Sequence, residues 1–161
     1  MAELTHVNAQ GHAHMVAVTA KPETERGAIA RASVRMSAEA FALLQRGELE
    51  KGDAIQVARI AAIQGAKRTS DLIPLCHPVR LVSVDVSVLR EEHSSTVHFD
   101  VRAQAIDRTG VEMEAMTGAA VAALTLYDMI KGVDRAAVIA SVHLVEKWGG
   151  RSGRFSPQQT P

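Results

Sequence analysis

The chain has 161 residues, 47% of them hydrophobic and only 3% aromatic, with 18 Lys and Arg balancing 18 Asp and Glu. That length suits one domain, expected to span 1–161, and is short for two. Zero net charge with dispersed cations argues against a broad nucleic-acid footprint, and so few aromatics cannot build a base-stacking surface.

A small anionic ligand held by a few placed lysines is still compatible with this balance. The longest stretch free of charged residues and histidine, 115–127, runs 13 residues. A membrane helix needs about 20, so no span is expected. The opening MAELTHVNAQGHAH has no basic segment leading into an apolar one, so no secretory leader is expected. Cys76 is the one cysteine; it allows no intramolecular disulfide and fits a reducing, cytoplasmic setting.

Residues 1–27 read as an irregular arm punctuated by Gly11, Lys21-Pro22 and Gly27. His12 and His14 lie in it without further ligand-type neighbours, so they read as a solvated arm and no metal site is expected. From Ala28 the pattern takes period two: Ala28, Ala30, Ala32, Val34 and Met36 oppose Arg31, Ser33 and Arg35, a half-buried strand. Ser37 as N-cap and Gly47 as stop bound a helix over 38–46. Asp53 caps a second helix over 54–67, which is apolar around most of its circumference. Lys51 sits just outside its start, where the helix dipole favours an anion.

The segment 72–78, LIPLCHP, is bracketed by prolines and cannot be helical throughout. Val82, Val84, Val86 and Val88 then alternate with Ser83, Asp85 and Ser87. After a polar turn, Val97, Phe99, Val101, Ala103 and Ala105 alternate with polar residues, so the two runs form a β-hairpin. An alanine-rich helix follows within 109–131, TGVEMEAMTGAAVAALTLYDMIK. In the last strand Val138, Ala140, Val142 and Leu144 are expected on one face, with Ser141, His143 and Lys147 on the other. The Gly- and Ser-rich tail 149–161 is expected to be mobile, leaving an α+β core over 28–148.

The order β-α-α-β-β-α-β, with strands apolar on one face only, predicts an α+β fold. It is the ferredoxin-like split βαβ arrangement: a four-stranded, mainly antiparallel sheet with helices on one face and one extra helix.

The ionisable residues gather at element ends. Glu112 and Glu114 open the long helix, where the dipole alone is sufficient reason for acids. Asp128 and Lys131 close it at i and i+3, which can be a plain surface ion pair. Yet Asp128 faces the negative end of the dipole, an unfavourable place that invites a functional explanation. Cys76 and His77 adjoin in an extended segment, so their side chains point apart, and Cys76 reads as a small buried residue. His77, fixed between prolines, has the stronger claim to chemistry. The rise from Glu112 to Asp128 is about 24 Å, too long for one small-molecule site. If both ends act, copies from different subunits meet. Lysines, one histidine and several carboxylates, without metal-ligand spacing or a cofactor fingerprint, suit acid–base chemistry on a small phosphorylated compound.

Four motifs together carry a specific likeness: KGD at 51–53, AKRTSDLIPLCHP at 66–78, TGVEMEAMTGAAVAALTLYDMIK at 109–131 and GGRSG at 149–153. With LTH near the start and HMV at 14–16, the chain resembles the cyclic pyranopterin monophosphate synthase family, the molybdenum cofactor biosynthesis protein C family, over nearly its whole length. The resemblance implies conversion of 3′,8-cyclo-7,8-dihydroguanosine 5′-triphosphate to cyclic pyranopterin monophosphate and diphosphate. It implies a radical S-adenosylmethionine enzyme upstream, a hexamer built as a trimer of dimers with sites between subunits, and no redox cofactor. Carried over by position, Asp128 is the key acid–base residue and Lys51 a second catalytic group. Leu75, Cys76, His77, Met113 and Glu114 match substrate contacts, and Glu112, Lys131 and Lys147 match polar positions around the pocket.

The implied chemistry accounts for these residue types. Rebuilding a guanine-derived ring as a pterin needs repeated proton transfers, which Asp128, Lys51 and His77 can carry. Attack on the α-phosphorus expels diphosphate, whose charge lysines neutralise. Glu112 or Glu114 can accept from the ring N–H and amino groups. The chain departs from the family pattern at Ala17, where an acid is usual, and at Trp148, where a small residue is usual; Arg151 replaces a common Lys. The first two motivate an alternative, a non-catalytic relative that binds the nucleotide or a pathway partner.

Overall fold

The computed structural model describes residues 6–8 and 10–157. The opening Leu4-Thr5 of the LTH motif and the tail end 158–161 therefore lie outside the described residues.

Local capping places the first two helices where the sequence expects them. Helix α1, Ala38–Arg46, begins at Ser37, whose Oγ accepts from the Ala40 N–H at 3.2 Å, and stops at Gly47 with φ 69°. Helix α2, Ala54–Lys67, begins where an Asp53 oxygen accepts from Gln56 N–H at 3.1 Å. A four-residue helix, α3 (Thr69–Leu72), follows and was not foreseen. Buried Thr69 turns the chain there by donating to Ala66 O at 3.0 Å, before Pro74 ends helical geometry.

The strands are β1 (Thr24–Arg35), β2 (Leu81–Glu91), β3 (Thr96–Asp107) and β4 (Val138–Gly149), with helix α4 (Glu112–Ile130) between the last two. Sheet order is β2-β3-β1-β4 with every neighbouring pair antiparallel, so β3 lies between β1 and β2 as the split βαβ arrangement requires. Strand β1 starts four residues before Ala28, inside the expected irregular arm. Those four residues carry no apolar alternation, but they pair with Asp107 through Gln104 of β3.

One sheet face, Ala28, Ala30, Ala32 and Val34 from β1 with Val97, Phe99 and Val101 from β3, is fully buried beneath α2 and α4. Burying a side chain the size of Phe99 or Leu126 contributes roughly 1.5–3 kcal/mol. The two long helices meet through small residues. A Cβ on Gly118 would stand 3.0 Å from Ala62 O and 3.0 Å from Val101, and one on Gly65 would press against Val121 at 2.8 Å.

Three β-bulges overturn the simple alternation expected for the edge strands. Leu81 pairs with Ala105 and Ser83 with Gln104, which leaves Val82 as the extra residue, 62% exposed rather than in line with Val84 and Val86. In β4, Ser141 pairs with Ser33 and Ile139 with Val34, so Ala140 is extra. Val138 and Ala140 consequently face solvent, while Ile139, Val142 and Leu144 pack on the core. Glu146 pairs with Ile29 and Leu144 with Ala30, making Val145 the third extra residue. Beyond it Lys147 stands opposite Ala28 on the helix-covered face, not on the open face with His143 as expected. A bulge inserts one residue and so re-aims every later side chain.

Candidate active site

Helix α4 separates two clusters of ionisable side chains. At its N-terminus a cavity of about 630 Å³ is lined by Leu75, Cys76, His77, Glu112, Met113 and Glu114. The extended segment after α3 supplies the first three, and the opening turn of α4 supplies the rest. Among the described residues no side chain caps the helix start at Val111, so acids in its first turn are its electrostatic complement.

The two glutamates serve that turn differently. Residues two apart on a helix point about 200° away from each other, so the two line the cavity from different sides of the turn. Glu114 faces inward and is 4% exposed. Burial pushes its carboxyl up to about 7, and the neighbouring Glu112 and Asp107 charges push the same way. Desolvation outweighs the helix dipole, so this acid changes protonation near neutrality. Glu112 is more exposed and pairs with Lys147 Nζ at 3.0 Å. Its carboxylate folds back over Gly110, where any Cβ would overlap it.

Burial and the nearby Glu114 charge raise the Cys76 thiol above its ordinary range. It therefore stays protonated at neutral pH and is a poor nucleophile. Residue identity alone hid the arm's contribution: Val16, Val18 and Lys21 also line the cavity, together with Thr109. The Lys21-Pro22 pair reads as punctuation, and nothing local to it signals a pocket. Ala17 is exposed between Val16 and Val18, so its side chain points away from the cavity within this subunit.

At the other end of α4, Asp128 accepts from Lys51 Nζ at 2.8 Å and pairs with Lys131 Nζ at 2.7 Å. Lys51 also donates to the Asp128 backbone carbonyl at 2.8 Å, which satisfies one of the carbonyls left open at a helix C-terminus. The two ammonium groups hold the Asp128 carboxyl down at about 2, and Asp128 in turn raises Lys131. The misplaced acid is thus compensated locally. All three side chains are about half exposed, and none of them lines the cavity at the other end of the helix.

Of the ten residues singled out in the sequence, seven gather around the α4 N-terminus, counting Lys147 through its pair with Glu112, and three gather at the C-terminus. The helix rise keeps the groups about 24 Å apart. The first group offers buried and half-buried acids; the second offers two cations around one ionised carboxylate. Within one chain these are two separate clusters, one able to exchange protons near neutrality and one cationic around an ionised carboxylate.

Residues 15–150 match the model of the MoaC family, and the chain belongs to that family. It is also 52% identical over 155 residues to the cyclic pyranopterin monophosphate synthase of Thermomicrobium roseum, covering 96% of this chain and 93% of that relative.

Proposed function

We propose that this chain is a cyclic pyranopterin monophosphate synthase of molybdenum cofactor biosynthesis. It converts 3′,8-cyclo-7,8-dihydroguanosine 5′-triphosphate to the cyclic monophosphate with release of diphosphate. The observation that carries the reading is the 52% identity along 96% of the chain to a relative of that name. In this reading the protein works in the cytoplasm, downstream of a radical S-adenosylmethionine enzyme, as a hexamer assembled from three dimers.

Each complete site then combines the α4 N-terminal cavity of one subunit with Lys51, Asp128 and Lys131 of another. In the free protein Asp128 occupies the place of a phosphate oxygen between the two ammonium groups. An incoming triphosphate competes for those lysines, and as it draws them off the Asp128 carboxyl rises from its depressed range and becomes a usable proton acceptor. The lysines meanwhile stabilise negative charge on the departing diphosphate. Across the site Glu114, close to 7, can give or take a proton at neutral pH, and Glu112 accepts from ring N–H groups.

Purified protein incubated with the cyclic nucleotide is expected to release one diphosphate per turnover. Nucleotide binding without diphosphate would instead establish the non-catalytic relative. The shared site has its own test. Inactive Lys51→Ala and Glu114→Ala proteins, mixed under conditions of verified subunit exchange, should each restore what the other lacks. Mixed oligomers as inactive as their parents would refute sharing.

A further inference from the structure

The tail beyond β4 returns to the strand it left. Gly149 and Gly150 have φ of 87° and 68°, a left-handed pair that reverses the chain, and a Cβ on Gly149 would overlap Glu25 O. Phe155 then pairs with Lys147 through both backbone groups, each at 2.9 Å. Lys147 is consequently gripped from two sides, by Ala28 of β1 and by Phe155. The Ser156 hydroxyl donates to the carbonyl of Val145, the bulged residue, at 3.3 Å, and Arg154 pairs with Glu146. On the opposite face Trp148 lies against Gly27, beneath the Arg102 guanidinium at 4.7 Å. The residues on both sides of Lys147 are thus tied down.

Only one contact of this segment reaches the ammonium itself: Lys147 Nζ donates to Ser152 Oγ at 2.7 Å. A lysine ammonium has three donors. The Ser152 hydrogen bond takes one of them and the Glu112 carboxylate pulls from a second side, so together they limit the directions left to the rest. We propose that Ser152, presented by the return segment 149–156, is a positioning residue that aims the Lys147 ammonium for an anionic group of the ligand. The inference rests on the reading of Lys147 as a site residue. Without Ser152 the flexible four-carbon stem would sample other rotamers, and the Glu112 pair, being partly exposed, would hold it weakly. Trp148 fits the same device: its contact with Gly27 and Arg102 steadies the strand end that carries Lys147.

Two measurements on the full-length protein test this, one of them independent of turnover. Limited acylation with an amine-reactive reagent, read at each lysine by mass spectrometry, should label Lys147 about 2- to 10-fold faster in Ser152→Ala, the range a single hydrogen bond commands. Lys51 and Lys67 should react as before, and Ser152→Thr should restore the slow rate. Unchanged Lys147 labelling in Ser152→Ala, or faster labelling at every lysine, overturns the proposal. With the cyclic nucleotide, Ser152→Ala should raise KM about 2- to 10-fold with kcat little changed, and should add nothing in a Lys147→Ala background. Multiplying effects in the double variant would mean that Ser152 acts on its own, which also overturns the proposal. If the wild type releases no diphosphate the functional reading fails, and the labelling measurement still decides the role of Ser152.

Discussion

The two ends of α4 carry acids of the same chemistry in opposite environments. Glu114, at the first turn, is enclosed, has no cationic partner among the described residues, and is held near 7 by burial. Asp128, at the last turn, is open to solvent, bound by two lysines and held near 2. The backbone dipole predicts the reverse order, since it favours negative charge at the N-terminus. Solvation and neighbouring charges outweigh it at both ends. Position along a helix is thus a weak guide to protonation, and enclosure and partners decide.

That contrast can be broken most severely at Asp128. Asp128→Asn keeps the shape but removes the charge that holds Lys51 and Lys131. Diphosphate release should fall by about 10²–10⁴-fold, the usual contribution of a positioned acid–base group. Because the cluster is exposed, the thermal midpoint should barely move. A large loss of stability with retained turnover would reverse the assignment.

Glu114 should show the opposite behaviour, appearing in stability. Its folded value of about 7 lies above the ordinary 4.5, so the folded protein binds the extra proton between those values. The stability it contributes is fully present below pH 4.5 and is lost as pH rises through 7, a change on the order of 2–3 kcal/mol. Glu114→Gln, neutral throughout, should flatten that fall. Urea midpoints measured from pH 4.5 to 8 on both proteins check it; parallel curves would mean that Glu114 titrates normally. The smallest effect is expected at Gly110. Gly110→Ala would push the Glu112 carboxylate off its seat and weaken the Lys147 pair, raising KM for the nucleotide a few-fold while sparing kcat, as steady-state kinetics would report.

How much of this was legible in the sequence differs from element to element. Helices α1 and α2 were readable to the residue because Ser37, Gly47 and Asp53 mark their ends chemically. The bulges were not: Val82, Ala140 and Val145 look like any other small or branched strand residue, and only pairing with a neighbour shows that one residue is surplus. The error at Lys147 follows directly, since a single surplus residue moves a side chain to the other face. In α4 the buried stripe 114, 118, 122 and 126 places Glu114 inside, but an alanine-rich helix has so little contrast between faces that the stripe does not stand out. The helix rise already separated Glu112 and Glu114 from Asp128 and Lys131, and family motifs supplied the roles; chain order alone could not show that residues 75–77 and Lys147 join the first group and Lys51 the second. The arm around Lys21 was silent because an irregular segment has no periodicity to read.

The crossing of α2 and α4 at Gly65, Ala62 and Gly118 has a further consequence. Alanine and glycine have no side-chain torsions, so only the stiff χ1 of Val121 and Val101 can answer an error at this joint by changing rotamer. A misfit that those valines do not absorb shifts or tilts the whole rod. Gly118 is about 9 Å along the axis from Glu112 and about 15 Å from Asp128, so it acts as an off-centre fulcrum. A tilt of about 10° would swing the Asp128 end by roughly 2.6 Å and the Glu112 end by roughly 1.6 Å, in opposite directions. Such a lever converts one methyl group at the middle of the molecule into misalignment at both of its tips.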